Sequence, residues 1–210
     1  MKLETIKYKD YELELPKEGN HVIGQILNGN IVVYQAFNNE IANYAISNQK
    51  FGGKNYSFSR MTWIKPNFLW MMYRSGWASK ENQNRILAIE LSFDYFEQVL
   101  ENGIFTRFYN EFESEHSWKQ KLLSSDIRIQ WDPDHNFKGE KLNRKAIQIG
   151  LKGDALKDFN DIHVKSIDDI TEFVNEQKNK IDRNENDFYV IKENVIQIKD
   201  SIKEKLLISL

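Results

Sequence analysis

Arg60, Thr62 and Lys65 lie close together in the chain and carry a guanidinium, a hydroxyl and an ammonium group. The alternation of a strand predicted over residues 56–64 puts Arg60 and Thr62 on one face, and Lys65-Pro66 begins the helix predicted next. Cationic side chains beside the free N–H groups of a helix N-terminus favour a bound phosphate. We therefore expect a phosphate-binding site here. The alternative is that Arg60 pairs with a carboxylate and Lys65 lies in solvent.

The segment around these residues, 41–80, contains basic residues and no acidic ones. Its six cations are Lys50, Lys54, Arg60, Lys65, Arg74 and Lys80. Removing them from the chain's 29 basic residues leaves 23 against 31 acidic residues, so the remainder is net acidic. The segment also holds nine aromatic residues: Tyr44, Phe51, Tyr56, Phe58, Trp63, Phe68, Trp70, Tyr73 and Trp77. This pattern predicts a local site for an anionic ligand with a flat ring, such as a nucleotide.

Three tryptophans recur at seven-residue intervals in this segment. Trp63 lies beside Lys65 and is the better candidate for stacking on a base. Trp70 and Trp77 lie on or just after an apolar helix predicted over 67–75, so core packing is expected for both. Arg74, one turn after Trp70, is placed for a structural cation–π contact.

Further polar candidates lie on predicted strands. Arg128, Gln130 and Asp132 alternate on one face, and Asp132 begins an Asp-Pro-Asp sequence expected to end the strand. We expect Asp132 to act as a base or to bind a ribose hydroxyl. Gln148 lies beside Gln130 if their strands pair, where the two amides either read the edge of a base or nicotinamide or bond each other. A solvated strand face is the alternative for the whole set.

Tyr34 and Gln35 occupy a strongly apolar strand. A buried polar side chain in such a strand either contributes to a site or serves the packing alone. Both interpretations stay open for this pair.

Composition excludes several classes of site. The net charge of −2 argues against a protein that coats long nucleic acids, although short or terminal nucleic-acid substrates remain compatible. The chain has no cysteine, which excludes thiol nucleophiles, disulfides and iron–sulfur clusters. The four histidines show no metal-ligand spacing, so no metal is expected. No apolar stretch is long enough for a signal peptide or a membrane span, and we expect a cytoplasmic protein.

The predicted elements form a single α+β domain with a mostly antiparallel sheet and flanking helices. We expect an N-terminal arm over 1–19 (with Tyr11, Leu13 and Leu15 in an edge strand), the domain over 20–182, and a C-terminal strand and amphipathic helix over 183–210. The predicted strands are 21–27, 31–37, 56–64, 85–91, 126–131, 145–151 and 188–191. The predicted helices are 40–49, 67–75, 93–101, 113–123, 153–159, 167–181 and 193–208. An Asn28-Gly29 turn joins the first two strands.

Four sequence blocks resemble the domain-of-unknown-function family numbered 4291. They are Val33-Tyr34-Gln35-Ala36-Phe37 with Ile41-Ala42, residues 60–77 (RMTWIKPNFLWMMYRSGW), residues 128–133 (RIQWDP) and residues 146–151 (AIQIGL). The resemblance covers residues 21–174 and implies no established activity. Members of that family carry arginines where this chain has residues 21–25 (HVIGQ), which implies a lost or altered role if those arginines bind a ligand.

The order of predicted elements also resembles the opening of ADP-ribosyltransferase domains. This resemblance implies that Gln35 and Thr62 occupy the first two positions of a three-part signature, and it implies NAD as a ligand. The third position, a Glu on a late strand in that family, has no clean match here. Gln130, Asp132 and Gln148 are its candidates.

The leading hypothesis is an enzyme acting on a nucleotide-containing substrate, with NAD-dependent ADP-ribosyl transfer as the specific reaction. In it Arg60 and Lys65 hold phosphate, Trp63 stacks, Gln35, Thr62 and Asp132 surround the reacting sugar, and Tyr34, Arg128, Gln130 and Gln148 complete the binding site. The alternative is a non-catalytic module that binds nucleic-acid ends or a nucleotide in the same pocket. A third hypothesis is an interaction domain whose cations pair with acids elsewhere in the chain.

Overall fold

The chain folds into an α+β domain in which helices flank two main sheets, so the predicted fold class is confirmed. The computed structural model describes residues 1–109 and 114–209. The strands are β1 (Thr5–Lys7), β2 (Glu18–Asn20), β3 (Ile23–Gly24), β4 (Ile26–Leu27), β5 (Asn30–Phe37), β6 (Thr62–Ile64), β7 (Arg85–Ser92), β8 (Ile104–Phe105), β9 (Ile127–His135), β10 (Lys141–Leu151), β11 (Val164–Asp169), β12 (Tyr189–Ile191) and β13 (Asn194–Val195). The helices are α1 (Tyr8–Glu14), α2 (Asn39–Asn48), α3 (Phe68–Ser75), α4 (Phe93–Asn102), α5 (Glu115–Ser124), α6 (Gly153–Asp158), α7 (Thr171–Asp182) and α8 (Asp200–Lys205), with a π-helical turn, Phe159–His163, after α6.

One sheet is antiparallel, in the order β11-β7-β5-β4. Its β4–β5 hairpin turns at Asn28 and Gly29, which adopt φ values of 49° and 78°. Positive φ at both central positions is what a tight two-residue hairpin requires, and it confirms the predicted turn. Strands β5 and β7 are buried on both faces: Val33 and Ile89 point into one core, Val32 and Ala88 into another.

The other sheet has the order β2-β10-β9-β8, and β6 pairs with the far end of β10. The long β9–β10 ladder is antiparallel, and Gln130 lies opposite Gln148 as predicted. Alternation sends Ile129 and Ile149 into the core shared with the first sheet. The polar residues of β9 therefore lie on the opposite face.

Strand β6 connects the two sheets. Its residues pair with β10, and the next residue, Lys65, forms a β-bridge with Tyr34 of β5. The Tyr34 N–H donates to the Lys65 carbonyl oxygen at 2.7 Å. Short as it is, β6 therefore fixes the position of Thr62, Trp63 and Lys65 between the sheets.

A second core, on the other face of β5 and β7, contains the N-terminal segment and the region of β12. Tyr11 and Leu15 are buried in it, and β1 pairs with β12. A buried carboxylate, Glu193, joins these parts, because it accepts hydrogen bonds from the Tyr11 hydroxyl and the Phe68 N–H, both at 2.7 Å. Burial raises the pKa of Glu193 to about 8.

A charged network lies beneath α1. The Arg144 guanidinium, 1% exposed, donates to Asp134 Oδ2 at 2.6 Å and to both carboxylate oxygens of Glu12 at 3.0 and 3.1 Å. A buried cation needs such partners, since desolvation would otherwise destabilise it. Arg144 therefore fastens α1 to the β9–β10 ladder.

Several predicted elements have different bounds. The strand predicted over 56–64 is only Thr62–Ile64, and the preceding residues form a turn, a bend and irregular backbone. The strand predicted over 126–131, which the Asp-Pro-Asp sequence was expected to end, runs through Pro133 to His135, and its register with β10 shifts between Lys141 and Lys145. Such an irregularity accommodates a proline within a strand. Asp132 thus lies within a strand rather than at its end.

Three other expectations about local structure are wrong. Residues 164–169 form β11 on the edge of β7 before α7 begins, although the helix was predicted from 167. The predicted helix over 193–208 is strand β13 followed by the short α8. Residues 11–15 belong to α1 and its end rather than to an edge strand. In the helix predicted over 113–123, Glu113 lies outside the described residues, and α5 covers Glu115–Ser124.

None of the helices in the described ranges is long and apolar enough to cross a membrane.

Candidate functional site

A cleft of about 320 Å³ opens where β5, β6 and α3 meet. Its lining residues are Gln35, Ala36, Phe37, Met61, Thr62, Trp63, Lys65, Met71, Arg74, Gln83 and Gln148. Five of the residues predicted for the site are therefore brought together: Gln35, Thr62, Trp63, Lys65 and Gln148. The lining contains two cations, Lys65 and Arg74, and none of these described lining residues is acidic.

Lys65 is the most unusual group in the cleft. Its side chain is buried, and Nζ donates to the Trp63 carbonyl oxygen at 2.9 Å and lies 5.5 Å from the centre of the Trp70 ring. No described acidic side chain forms a salt bridge with it. Burial lowers the pKa of Lys65 to about 7, with Arg74 acting in the same direction and Asp132 against it.

Gln35 and Thr62 are joined by a direct hydrogen bond. Gln35 Nε2 donates to Thr62 Oγ1 at 2.6 Å and to the Trp63 carbonyl oxygen at 3.1 Å. A carbonyl oxygen can only accept, so the amide nitrogen must face β6 and the orientation of the Gln35 amide is fixed. Its Oε1 is buried and has no partner among the described residues. The cleft wall thus keeps one free acceptor.

Gln148 connects the cleft to Asp132. Gln148 Nε2 donates to Asp132 Oδ2 at 2.7 Å, and Gln130 Nε2 donates to Asp132 Oδ1 at 2.8 Å. Thr106 Oγ1 donates to Gln130 Oε1 at 3.3 Å, which extends the chain of hydrogen bonds to the residue after β8. Asp132 is therefore held by two amides on the polar face of the sheet. It does not line the cleft itself but contacts it through Gln148. The register of β9 and β10 creates this arrangement.

Trp63 is half-buried and lies against Gly150 of β10, its partner in the ladder. A Cβ atom on Gly150 would lie 3.1 Å from the Trp63 ring and 2.6 Å from Met61 Sδ. Glycine at this position thus lets the indole approach the strand closely. The ring forms one wall of the cleft, where a base could stack.

Three predicted residues lie elsewhere. Arg60 is exposed and lines an adjoining cavity of about 190 Å³, which shares Phe37, Met61 and Thr62 with the cleft. Arg128 is half-buried, and its guanidinium donates to the Ser125 carbonyl oxygen at 2.7 Å. Tyr34 points into the second core. Neither Arg128 nor Tyr34 is among the residues that line the cleft.

The N-terminus of α3 is already occupied. The Phe68 N–H donates to Glu193 Oε1, and the Trp70 N–H donates to Asn67 Oδ1, both at 2.7 Å. The expectation that these helix N–H groups are free to bind a phosphate is therefore wrong. The cationic side chains that could bind an anion in the cleft are those of Lys65 and Arg74.

The cations of segment 41–80 are not neutralised within the described part of the chain. None of the six forms a salt bridge with a described acidic residue. Lys80 Nζ instead donates to the Arg74 carbonyl oxygen at 2.8 Å. The local excess of positive charge predicted from composition persists in the fold.

Sequence reasoning missed Gln83 altogether and assigned Arg74 only a structural contact. Arg74 is exposed near the end of α3 and faces the cleft, while Lys65, not Arg74, lies over the Trp70 ring. Gln83 belongs to the connection between α3 and β7. Arg74 could have been predicted for the site because it belongs to the cationic segment 41–80. No local sequence pattern pointed to Gln83.

The residues that stand in place of the family's arginines have structural partners. Gln25 Nε2 donates to the carbonyl oxygens of Glu4 and Lys192 at 3.0 and 2.7 Å. His21 Nε2 lies 2.9 Å from the Glu18 carbonyl oxygen. Gln25 thus joins β1's flank to the residue after β12, His21 makes a local contact, and neither side chain lines the cleft.

Within the described residues, no group of three or more His, Asp and Glu side chains is placed to hold a metal ion. A search of curated proteins found no match. A family model, the domain of unknown function DUF4291, matches residues 21–196. This match covers most of the chain and includes every residue that lines the cleft, so the protein belongs to the DUF4291 family.

Proposed function

We propose that the cleft binds a nucleotide and that the protein is a nucleotide-handling enzyme, with NAD-dependent ADP-ribosyl transfer as its most specific candidate reaction. The proposal rests on one observation. Lys65 and Arg74 line the same cleft, and none of its described lining residues is acidic. Two basic side chains without acidic partners at one concave surface favour a bound anion, whose charge in turn favours the protonated form of Lys65, and phosphate is the anion that nucleotides supply.

The other lining residues fit the remaining parts of a nucleotide. Trp63 offers an aromatic face for a base, and the Gln148 and Gln83 amides can both donate and accept hydrogen bonds. The free Gln35 Oε1 would accept from an amino, amide or hydroxyl group after a small shift of the wall. A ligand that carries a phosphate, a flat ring and N–H or O–H groups would therefore offer a partner to each of these lining residues.

The likeness to ADP-ribosyltransferases is supported by the position of three residues. Gln35 and Thr62, assigned to the first two positions of the signature, share a hydrogen bond of 2.6 Å. Of the three candidates for the third position, Gln148 lines the same cleft, and Asp132 lies directly behind it. In this proposal Gln35, Thr62 and Gln148 surround the reacting sugar, and Asp132 orients Gln148. Arg60, Gln130 and Arg128 would support the site from outside the cleft.

One observation favours a non-catalytic binding module instead. Asp132 is the carboxylate expected to act as a base, and two amide donors already hold it outside the cleft lining. A cleft without a carboxylate can bind a nucleotide or the phosphorylated end of a nucleic acid but lacks the carboxylate base that the sequence predicted. The enzyme and the binding module would therefore both bind a nucleotide, but only the enzyme would convert it to product.

Titration calorimetry with NAD, ADP-ribose, ATP and a short 5′-phosphorylated oligonucleotide tests binding, and chromatography of the mixtures tests turnover. We expect saturable binding of at least one ligand, with release of nicotinamide from NAD if the protein is a transferase. Lys65→Met should weaken binding by about tenfold or more, because a charge-assisted hydrogen bond contributes about 1.5–3 kcal/mol.

Lys54→Met is the matched control, since Lys54 is an exposed cation of the same segment that does not line the cleft. Binding with no product over time would support the module. Absence of saturable binding, or equal affinities of the wild type and Lys65→Met, would overturn the proposal.

A further inference from the structure

Binding a phosphate uses Lys65 only as an ammonium, yet its surroundings disfavour that form. The side chain is 7% exposed, the Trp70 ring lies beneath it, and Arg74 is a neighbouring cation. Its one hydrogen-bond partner among the described residues is the Trp63 carbonyl oxygen. Lysines in enzymes become nucleophiles in such places, in an apolar pocket or beside another cation.

We propose that the Lys65 amine forms a Schiff base with an anionic aldehyde or ketone bound in the cleft. The preference for an anionic compound rests on the cationic cleft of the proposed function, whereas the reactivity of the amine does not. Lys65 would supply the nucleophile and Arg74 the charge that holds the anionic group of the substrate.

The protonation state agrees with this geometry. Burial lowers the pKa of Lys65 to about 7, so a large fraction of the amine is neutral at neutral pH. An exposed lysine with a pKa of about 10.4 has only roughly 0.04% neutral amine at pH 7. Lys65 should therefore react in preference to the exposed lysines of the same segment, Lys50, Lys54 and Lys80.

The reaction needs no oxidant or reductant. The lone pair of neutral Nζ attacks the carbonyl carbon, a C–N bond forms, the C=O π electrons move to oxygen, and one proton passes from Nζ to that oxygen. The resulting carbinolamine loses the former carbonyl oxygen as water. With one further proton from solvent, the product is the protonated imine.

The test uses pyridoxal 5′-phosphate as an anionic aldehyde and pyridoxal as its phosphate-free counterpart, each followed by borohydride reduction and peptide mapping by mass spectrometry. We expect about one adduct per chain, at Lys65, at concentrations that leave Lys54 and Lys80 unmodified. Pyridoxal should label the same residue at least tenfold more slowly. Lys65→Arg, which keeps the charge and removes the nucleophile, should abolish the adduct while retaining a cooperative melting transition.

The pH dependence provides a second measurement on the wild type, which needs no variant to fold. The rate of adduct formation should fall as the pH drops below about 7, because the amine becomes protonated. The charged groups that act on Lys65 are Arg74 from α3 and Asp132 from β9, so Arg74→Gln should shift this profile to higher pH.

If solvent exposure alone decides which lysines react, adducts will form at Lys54 and Lys80 and none at Lys65. That result would overturn the proposal whatever the nucleotide titrations show. Equal rates for the two aldehydes would remove the anionic part of the inferred substrate. Specific labelling of Lys65 in a protein that binds no nucleotide would leave the amine chemistry standing and refute only the proposed function.

Discussion

Lys65 and Arg144 are both buried cations, and their surroundings give them different parts in the molecule. Arg144 is held by Asp134 and by both carboxylate oxygens of Glu12. Lys65 has a single backbone carbonyl as partner in the described structure. A buried cation that is fully paired serves the fold, whereas one that lines an acid-free cleft is available to a ligand. This contrast makes Lys65 the central residue of the candidate site.

The buried Lys65 should give the folded protein a characteristic dependence of stability on pH. Its pKa falls from 10.5 in the unfolded chain to about 7 in the fold, so between these values the unfolded state binds more protons. The free energy of unfolding should therefore rise with pH across this window, by up to about 1.4 kcal/mol per pH unit. Urea denaturation of the wild type and Lys65→Met at several pH values measures this contribution.

The comparison with Lys65→Met matters because other groups titrate in the same range. Glu193, whose pKa burial raises to about 8, makes the folded state lose stability as the pH rises toward 8. This contribution is common to both proteins and cancels in their difference. A difference between wild type and variant that stays constant from pH 7 to 10 would contradict the lowered pKa of Lys65.

At the scale of elements, the three-residue strand β6 decides where the site lies. It pairs with β10 on one side and continues into a bridge with β5 on the other. Thr62 thereby meets Gln35, and Trp63 meets Gly150. Neither contact is local in sequence, since each joins residues far apart in the chain.

Some of the contacts around β6 could be predicted from the sequence, and others could not. The alternation of β9 and β10 predicted that Gln130 and Gln148 would be neighbours, because paired strands align side chains on the same face. The cationic composition predicted Lys65 for the site. The cationic composition also includes Arg74, but the positions of Arg74 and Gln83 in the cleft depend on how α3 and the following connection pack near β6 and β10, which no local pattern encodes.

Similar reasons explain the misassigned elements. Residues 164–169 form a strand because β7 offers an unpaired edge, a tertiary interaction that overrides the helical pattern after Ser166. The positions Tyr8, Tyr11 and Leu15 recur at helical spacing, a signal for α1 that the alternation of Tyr11, Leu13 and Leu15 obscured. Strand β9 continues past Pro133 because its register shifts there, which composition does not reveal.

The close packing of Trp63 on Gly150 gives a prediction for this element. Gly150→Ala should displace Trp63, because the added Cβ would lie 2.6 Å from Met61 Sδ and 3.1 Å from the ring. Overpacking of this kind typically costs about 1–3 kcal/mol of stability. Equilibrium denaturation measures this loss, and calorimetry measures the accompanying loss of nucleotide affinity.

A second substitution serves as the control for this prediction. Met61→Ala in the Gly150→Ala background removes the tighter of the two contacts and should restore part of the stability. Wild-type stability and affinity in Gly150→Ala alone would show that Trp63 does not depend on the glycine.

At the scale of the whole molecule, the first segment of the chain and the region around β12 pack on the same side of β5 and β7. Strand β1 pairs with β12, and Tyr11 of α1 donates to Glu193 after β12. Glu193 in turn accepts from the first N–H group of α3, the helix that carries Arg74. The buried Glu193 carboxyl group thus connects α1 to α3, which contributes Arg74 to the cleft. An N-terminal arm that contributed nothing to folding could be altered without consequence, so substitutions in α1 test this connection.

Two leucines near the end of α1 allow a matched comparison. Leu15 is 4% exposed and Leu13 is 79% exposed. Leu15→Ala should lower the free energy of unfolding by about 2–5 kcal/mol, because it leaves a cavity in the second core. Leu13→Ala should change it by about 0.5 kcal/mol or less, since it removes only solvent-exposed surface. Denaturant melts of the two variants measure both values, and an equally small effect at Leu15 would mean that residues 1–19 fold separately from the domain.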